Sequence, residues 1–327
     1  MREITMREAI REAIREEMLR DKTVLHWGEL DYCGEGMFGV LGRLGQEFGP
    51  ERVMDTPLSE TAITGACVGA ALGGYRPICE IMFADFAFVA ADEILLKMAK
   101  WRYMHGGEGG MKLPIVVRMA SGRYRGLAAE HSQMPLAYYV HTPGLKIVVP
   151  TSPYDAKGLL KTAIRDNNPV IFFEHKLLYG VSGPVPEEEY TVPFGVADVN
   201  PEGSDVTVVA IGLMVKMARD VARELGKEGI SVEVIDPRTL EPLDSASILR
   251  SVEKTGRVVL VDEDVERAGT MAEIGFQIQE SAFHKLKAPI RRVCAANVPI
   301  PYSKPLEEAV LPQPKDIEQA IRAVVTG

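Results

Sequence analysis

The chain has 327 residues, 46% hydrophobic and 25% charged, a globular composition with room for two domains. A formal net charge of −9 argues against a nucleic-acid surface, which needs a basic face. No apolar run approaches the about eighteen residues of a membrane span, so a cytoplasmic enzyme or enzyme subunit is expected.

The N-terminal "MREITMREAIREAIREEMLRD" predicts an amphipathic helix. Thr5 and Glu8 form a capping-box pattern, and Met6, Ile10, Ala13, Ile14 and Met18 mark one face. Arg alternates with Glu, unlike a signal or transit peptide. Strands are predicted at 23–27, 77–82, 113–119, 145–149 and 169–174, with helices at 61–73, 88–101 and 153–165 between them. That alternation predicts a parallel sheet covered on both faces. The proline- and acid-rich segment 179–195 lacks periodicity and reads as a linker. Alternation resumes with strands 205–211, 231–235 and 257–262 and helices 213–228, 245–255, near 270–285 and near 315–325. The expected fold is α/β, with a first domain over 1–185, a linker over 186–200 and a second domain over 201–327.

The usual signatures of chemistry are missing. There is no GxGxxG after a strand, no GxxxxGK[ST], no GxSxG and no HExxH. The cysteines Cys33, Cys67, Cys79 and Cys294 form no CxxC pair, which disfavours zinc or iron–sulfur ligation. The feature that stands out is "DTPLSETAITGACVGAALGG" (55–74), where Glu60 sits at the mouth of a helix of small apolar residues. Thr56 can cap that helix with Pro57 in its first position, and an acid there suits the helix dipole. A carboxylate fixed against an apolar helix also gains proton affinity and can share a proton with a nitrogen heterocycle.

Motifs along nearly the whole chain resemble the beta subunits of thiamine-diphosphate-dependent 2-oxo acid dehydrogenases. They are "DTPLSE" (55–60), "RPICEIMFADF" (76–86), "AAEHSQ" (128–133) and "TPGLKIVVPTSPYDAKGLLKTAIRDNNPVIFFEHKLLYG" (142–180). In the second half they are "GSDVTVVAIG" (203–212), "VIDPRTLEPLD" (234–244), "KTGRVVLVDE" (254–263) and "VPIPYSKPLEEAVLPQPKDI" (298–317). The acetoin-cleaving branch looks most similar, with the pyruvate and branched-chain branches near it. The resemblance implies a pyrimidine-binding-type parallel sheet domain followed by a transketolase C-terminal-type α/β domain.

It also implies roles. Glu60 would hydrogen-bond the aminopyrimidine ring of thiamine diphosphate, so that the cofactor can lose its thiazolium proton. Leu58, Met82 and Phe86 would line that ring. His131 would stand near the reacting carbon and assist acyl transfer to lipoyl groups. Ile115, Ala163, Ile164, Asp166 and Asn168 would form a potassium site. No GDG motif occurs, so the diphosphate and its magnesium would be held mainly by an alpha subunit in an α2β2 assembly. A lipoyl-bearing dihydrolipoyl acyltransferase core would be the further partner, and a small carbonyl compound the substrate. The chain departs from the family at "HWGELDYCGEGMFG" (26–39), which replaces a "GED"-type opening, and at Glu130, where relatives usually carry glutamine. Two other readings compete: a self-sufficient transketolase-like enzyme, and a non-catalytic scaffold with a vestigial pocket.

Overall fold

In the computed structural model, which describes residues 1–326, the chain opens with strand β1 (Arg2–Thr5) and helix α1 (Met6–Arg20). The capping box forms: Thr5 Oγ1 accepts the Glu8 N–H, and the Glu8 carboxylate accepts the Thr5 N–H at 2.7 Å. Met6, Ile10, Ala13, Ile14 and Met18 are buried, so the predicted stripe is the packed face.

Next come β2 (Val24–Gly28), α2 (Leu44–Phe48), β3 (Val53–Asp55), α3 (Glu60–Leu72), β4 (Arg76–Ile81) and α4 (Ala99–Met104). They are followed by β5 (Val116–Ser121), α5 (Leu136–Val140), β6 (Lys146–Val148), α6 (Pro153–Arg165), β7 (Val170–His175) and β8 (Ser182–Val185). Strands β6, β7, β5, β4, β2 and β3 lie side by side in that order, and every neighbour is parallel. Strands β5 and β7 are buried throughout, which explains their near-continuous apolar runs. Helix α1 packs on α6.

The remaining elements are β9 (Asp198–Val199), β10 (Val206–Ala210), α7 (Leu213–Lys227), β11 (Val232–Asp236), β12 (Thr239–Glu241) and α8 (Ser245–Thr255). Then follow β13 (Val258–Val265), α9 (Thr270–Ala282), β14 (Arg291–Ala295), α10 (Lys304–Val310) and α11 (Pro314–Thr326). A second sheet runs in the order β14, β13, β10, β11, β9, parallel except for β9. The chain divides into two compact units. The first comprises 1–121 and 138–194; the second comprises 122–137 and the chain from Gly195 onward. The fold is α/β, as expected from the sequence.

Three local features differ from the sequence reading. Segment 179–195 is not wholly irregular, because β8 pairs antiparallel with β1, Arg2 opposite Val185. Its four residues include a proline and are too few to show a period. The helix expected at 88–101 is a 3₁₀ turn (Ala84–Phe88), a π-helix (Asp92–Met98) and then α4. The wide π turn carries the buried Glu93 against α3, where a Cβ on Gly65 would lie 3.3 Å from the Glu93 carboxyl carbon. Finally, α3 starts later than Thr56 and Pro57 suggested. The Thr56 N–H donates to the Gly28 carbonyl at 3.0 Å, keeping the chain extended past β3. Ser59 takes the cap position without a side-chain bond, which makes Glu60 the first helical residue.

Candidate active site

The first turn of α3 is fastened to the sheet from several sides. Trp27 Nε1, on β2, donates to the Ile63 carbonyl at 3.0 Å. Thr64 Oγ1 donates to the Glu60 carbonyl at 2.7 Å, and Thr61 Oγ1 to that of Val89 at 2.9 Å. Upstream, Asp55 accepts the Tyr32 N–H at 2.6 Å. Glu60 is half-buried, and its backbone is anchored so that the carboxylate's origin is fixed. A cavity of about 270 Å³ lies beside this turn, lined by Trp27, Met54, Pro57, Ile63 and Ala66.

The other expected cofactor contacts belong to the same unit. Leu58 is 79% exposed, an aliphatic side chain presented to solvent just before α3. Met82 and Phe86 follow β4, on which α3 packs, and both are half-buried. Phe86 meets Phe83 edge-to-face at 5.7 Å. His131 lies instead in the second unit, half-buried.

The five residues of the expected potassium site come together at the start of β5 and the end of α6. Val170 N–H donates to the Ile115 carbonyl at 2.8 Å, and Arg76 Nη1 donates to the carbonyls of Ile164 and Asp166, both at 2.9 Å. The side-chain oxygens accept bonds as well. Asp166 Oδ1 accepts the Asn168 N–H and Nδ2 at 2.7 Å, Lys146 pairs with Asp166, and Arg102 donates to Asn168 Oδ1. Each carbonyl keeps a second lone pair, as do Asp166 Oδ2 and Asn168 Oδ1 with one donor apiece, so oxygen capacity for a cation remains on both backbone and side chains.

A buried polar network missed in the sequence lies behind this surface. Arg118 on β5 donates to both Glu174 oxygens (2.7 and 2.8 Å), to Glu80 Oε2 (2.8 Å) and to His26 Nε2 (3.1 Å). Tyr179 donates to Glu174 Oε2 at 2.7 Å. A guanidinium cannot accept, so His26 Nε2 carries the lone pair and Nδ1 the proton. His26 Nδ1 lies 2.9 Å from Asp31 Oδ2. Burial, with the Arg118 charge, holds the imidazole down at about 3. Burial pushes Asp31 up to about 8 and Glu80 up to about 7, against the pull of Arg118. Glu29 is raised by burial and by the neighbouring charges of Glu60, Asp31 and Glu80, which couples the network electrostatically to Glu60. The signal was present in the sequence: "PICEIM", "IVVRM" and "VIFFEH" each carry one charge inside an otherwise buried strand.

Comparison with known proteins adds a family to this geometry. Residues 2–182 match the transketolase pyrimidine-binding domain, and 195–317 the transketolase C-terminal domain. The chain is 46% identical to the beta subunit of acetoin:2,6-dichlorophenolindophenol oxidoreductase from Cupriavidus necator, over 100% of this chain and 98% of that one. It is equally, 46%, identical to the pyruvate dehydrogenase E1 component subunit beta of Rickettsia felis, over 98% of each. With the 2-oxoisovalerate dehydrogenase subunit beta of Bacillus subtilis it shares 44% over 96% of each. A split-gene transketolase, described as an inactive beta4 tetramer, has the same fold, with a TM-score of 0.80 at 24% identity over 99% of this chain and 98% of that one. The chain belongs to the family of beta subunits of thiamine-diphosphate-dependent 2-oxo acid and acetoin dehydrogenases.

Proposed function

We propose that this chain is the beta subunit of a heteromeric enzyme that cleaves the carbon–carbon bond beside a carbonyl and passes the acyl group to lipoamide. The observation that carries the reading is Glu60, a carboxylate fixed as the first residue of an apolar helix beside an apolar cavity. These residues suit one half of thiamine diphosphate: an acid to meet a ring nitrogen, with Leu58, Met82 and Phe86 as apolar company. When bound, the cofactor supplies the carbanion chemistry. Glu60 holds a proton at the pyrimidine nitrogen, and the apolar surroundings limit its exchange with water. His131 assists transfer of the acyl group. The diphosphate and its magnesium fall to an alpha subunit in an α2β2 assembly, and a lipoyl-bearing acyltransferase core receives the product.

Potassium is assigned to the oxygens of Ile115, Ala163, Ile164, Asp166 and Asn168, hard ligands suited to such a cation. The four cysteines are all free thiols, which fits a cytoplasmic location. Identities to acetoin, pyruvate and branched-chain relatives lie within two points of one another, so substrate choice is left to assay. The test is calorimetric binding of thiamine diphosphate and magnesium, on the chain alone and on the chain co-expressed with its alpha-type partner. Tight binding only in the pair is expected; tight binding by the lone chain would refute the half-site reading. Turnover is then compared on acetoin, pyruvate and branched-chain 2-oxo acids.

A further inference from the structure

The segment that carries His131 leaves β5, belongs to the second unit, and is bound there by three acids. Glu263, near the end of β13, accepts the Arg123 N–H at 2.5 Å with Oε1 and Arg123 Nε at 2.7 Å with Oε2. Arg123 Nη2 continues to the Pro312 carbonyl at 2.7 Å. Five residues before His131 the chain turns left-handed at Gly126, and Ala128 two residues on is in the same region, with φ +82° and +63°. At Gly126 the N–H donates to Glu307 Oε1 at 3.3 Å, and a Cβ would lie 2.8 Å from the Tyr302 carbonyl oxygen. At the far end, Asp264 Oδ2 accepts the Ala137 N–H at 3.3 Å.

Two non-glycine residues of this segment, Arg125 and Ala128, have positive φ (50° and 63°). Each is a strained conformation that persists only where the surroundings over-determine the backbone. The tether supplies that determination. A buried ion pair is a weak source of stability, because desolvation offsets its attraction. Arg123 and Glu263 are 7% and 4% exposed, so their pairing is better explained by the place it fixes than by the stability it adds. Glu263 is on a strand that is buried over most of its length, a rigid support of the kind a precisely placed group needs.

We propose that Glu263 is a positioning residue: by clamping both the backbone and the side chain of Arg123, it fixes the root of the His131 loop and so the placing of the imidazole. This rests on the role given above to His131. Glu307 and Asp264 are the second and third anchors, holding the loop before and after the histidine. None of the three needs to touch substrate.

The test uses the complex with the alpha-type partner. Glu263→Ala should accelerate hydrogen–deuterium exchange across 122–137 at least several-fold, with β10 and α7 unaltered. It should lower kcat by about tenfold to a hundredfold, the size expected of a misplaced group, with KM near that of the parent. Glu263→Gln keeps an acceptor for the Arg123 N–H and should recover part of the rate. His131→Ala and the double variant His131→Ala/Glu263→Ala should be equally slow, because residues acting through one another are not additive.

Where Glu263→Ala fails to fold, the double change Arg123→Met/Glu263→Met removes both charges without stranding either, and the same measurements apply. Unchanged exchange in 122–137, or a loss that adds fully to that of His131→Ala, overturns the proposal. Full turnover in His131→Ala would instead refute the role assigned to that histidine, and loop exchange would still decide whether Glu263 holds the segment.

Discussion

Arg118 Nη1 lies 3.1 Å from His26 Nε2 while also donating to Glu80 Oε2 at 2.8 Å, so one guanidinium nitrogen ties β5 to both β2 and β4. The contact forces His26 to stay neutral, and a neutral His26 gives Asp31 no opposite charge. The Nδ1 of this neutral ring lies 2.9 Å from Asp31 Oδ2, so Asp31 faces a dipole there rather than a cation. One cation thus faces several buried acids, and the fold resolves the excess by keeping protons on carboxyl groups.

That arrangement sets a pH dependence. Asp31 and Glu80 sit at about 8 and about 7 in the folded chain, above their ordinary 3.8 and 4.5. Over the interval between, the folded state holds protons that the unfolded state has released, so stability falls as pH rises. His26 acts the other way: at about 3, below its ordinary 6.5, it loses stability as pH falls. The three together give their steepest decline between about pH 6.5 and 7, where His26 no longer offsets the acids, and a shallower one up to about pH 8 from Asp31 alone. Thermal midpoints taken from pH 6 to 9 should therefore fall. Asp31→Asn, which cannot ionise, should flatten the decline; an equally steep fall in that variant would exclude Asp31 as its source.

Arg118→Leu tests the network from its centre. It strands Glu80 and Glu174 without their cation in a buried site, a change that costs about 3–5 kcal/mol. The loss should be smaller at pH 6 than at pH 8, because protonation relieves the stranded acids. Urea unfolding at the two pH values measures both numbers. A cost below about 1 kcal/mol would mean that water reaches the site.

How much of this was legible in sequence depended on locality. The strands and helices of both units could be read because their apolar periods are long, and α1 announced its start through Thr5 and Glu8. Strand β8 and the π-helix could not, since one is set by pairing with β1 and the other by the fit of Glu93 against Gly65, contacts remote in sequence. Glu60, Leu58, Met82 and Phe86, like the residues proposed for potassium, are named through motifs, by resemblance rather than by geometry. The partners of that set, Lys146 and Arg102 on its side chains and Arg76 on its carbonyls, were not. The same limit hid the Arg118 network: each charge was visible within its strand, but only parallel register sets Glu80 opposite Arg118.

Gly28→Ala probes how tightly the loop after β2 is closed. A Cβ at Gly28 would lie 2.7 Å from Asp31 Oδ2 and 3.0 Å from the Glu80 Cβ. Overpacking of this kind costs about 1–3 kcal/mol. Asp31→Ala removes the nearer obstacle, so the double variant should be more stable than the sum of its single changes implies. Strict additivity in chemical denaturation would show that the alanine is accommodated by movement of the strand rather than by pressure on Asp31.

Glu60→Gln separates folding from chemistry. The anchors of this turn are backbone and neighbouring groups: Thr64 and Trp27 bond the carbonyls of Glu60 and Ile63, and neither uses the Glu60 carboxylate. The variant should lose only the favourable meeting of an acid with the helix dipole, about 0.3–1 kcal/mol, and should still assemble with its alpha-type partner. Cofactor binding should persist, since the amide can still meet the pyrimidine ring. On the role proposed for Glu60, the variant lacks the carboxyl group that would hold the proton at the ring nitrogen, so exchange of the thiazolium proton, followed by NMR in the assembled complex, should slow by about a hundredfold or more. Unchanged exchange in the assembled variant would refute that role, and lost assembly would give Glu60 a structural one, as the acid at the head of α3.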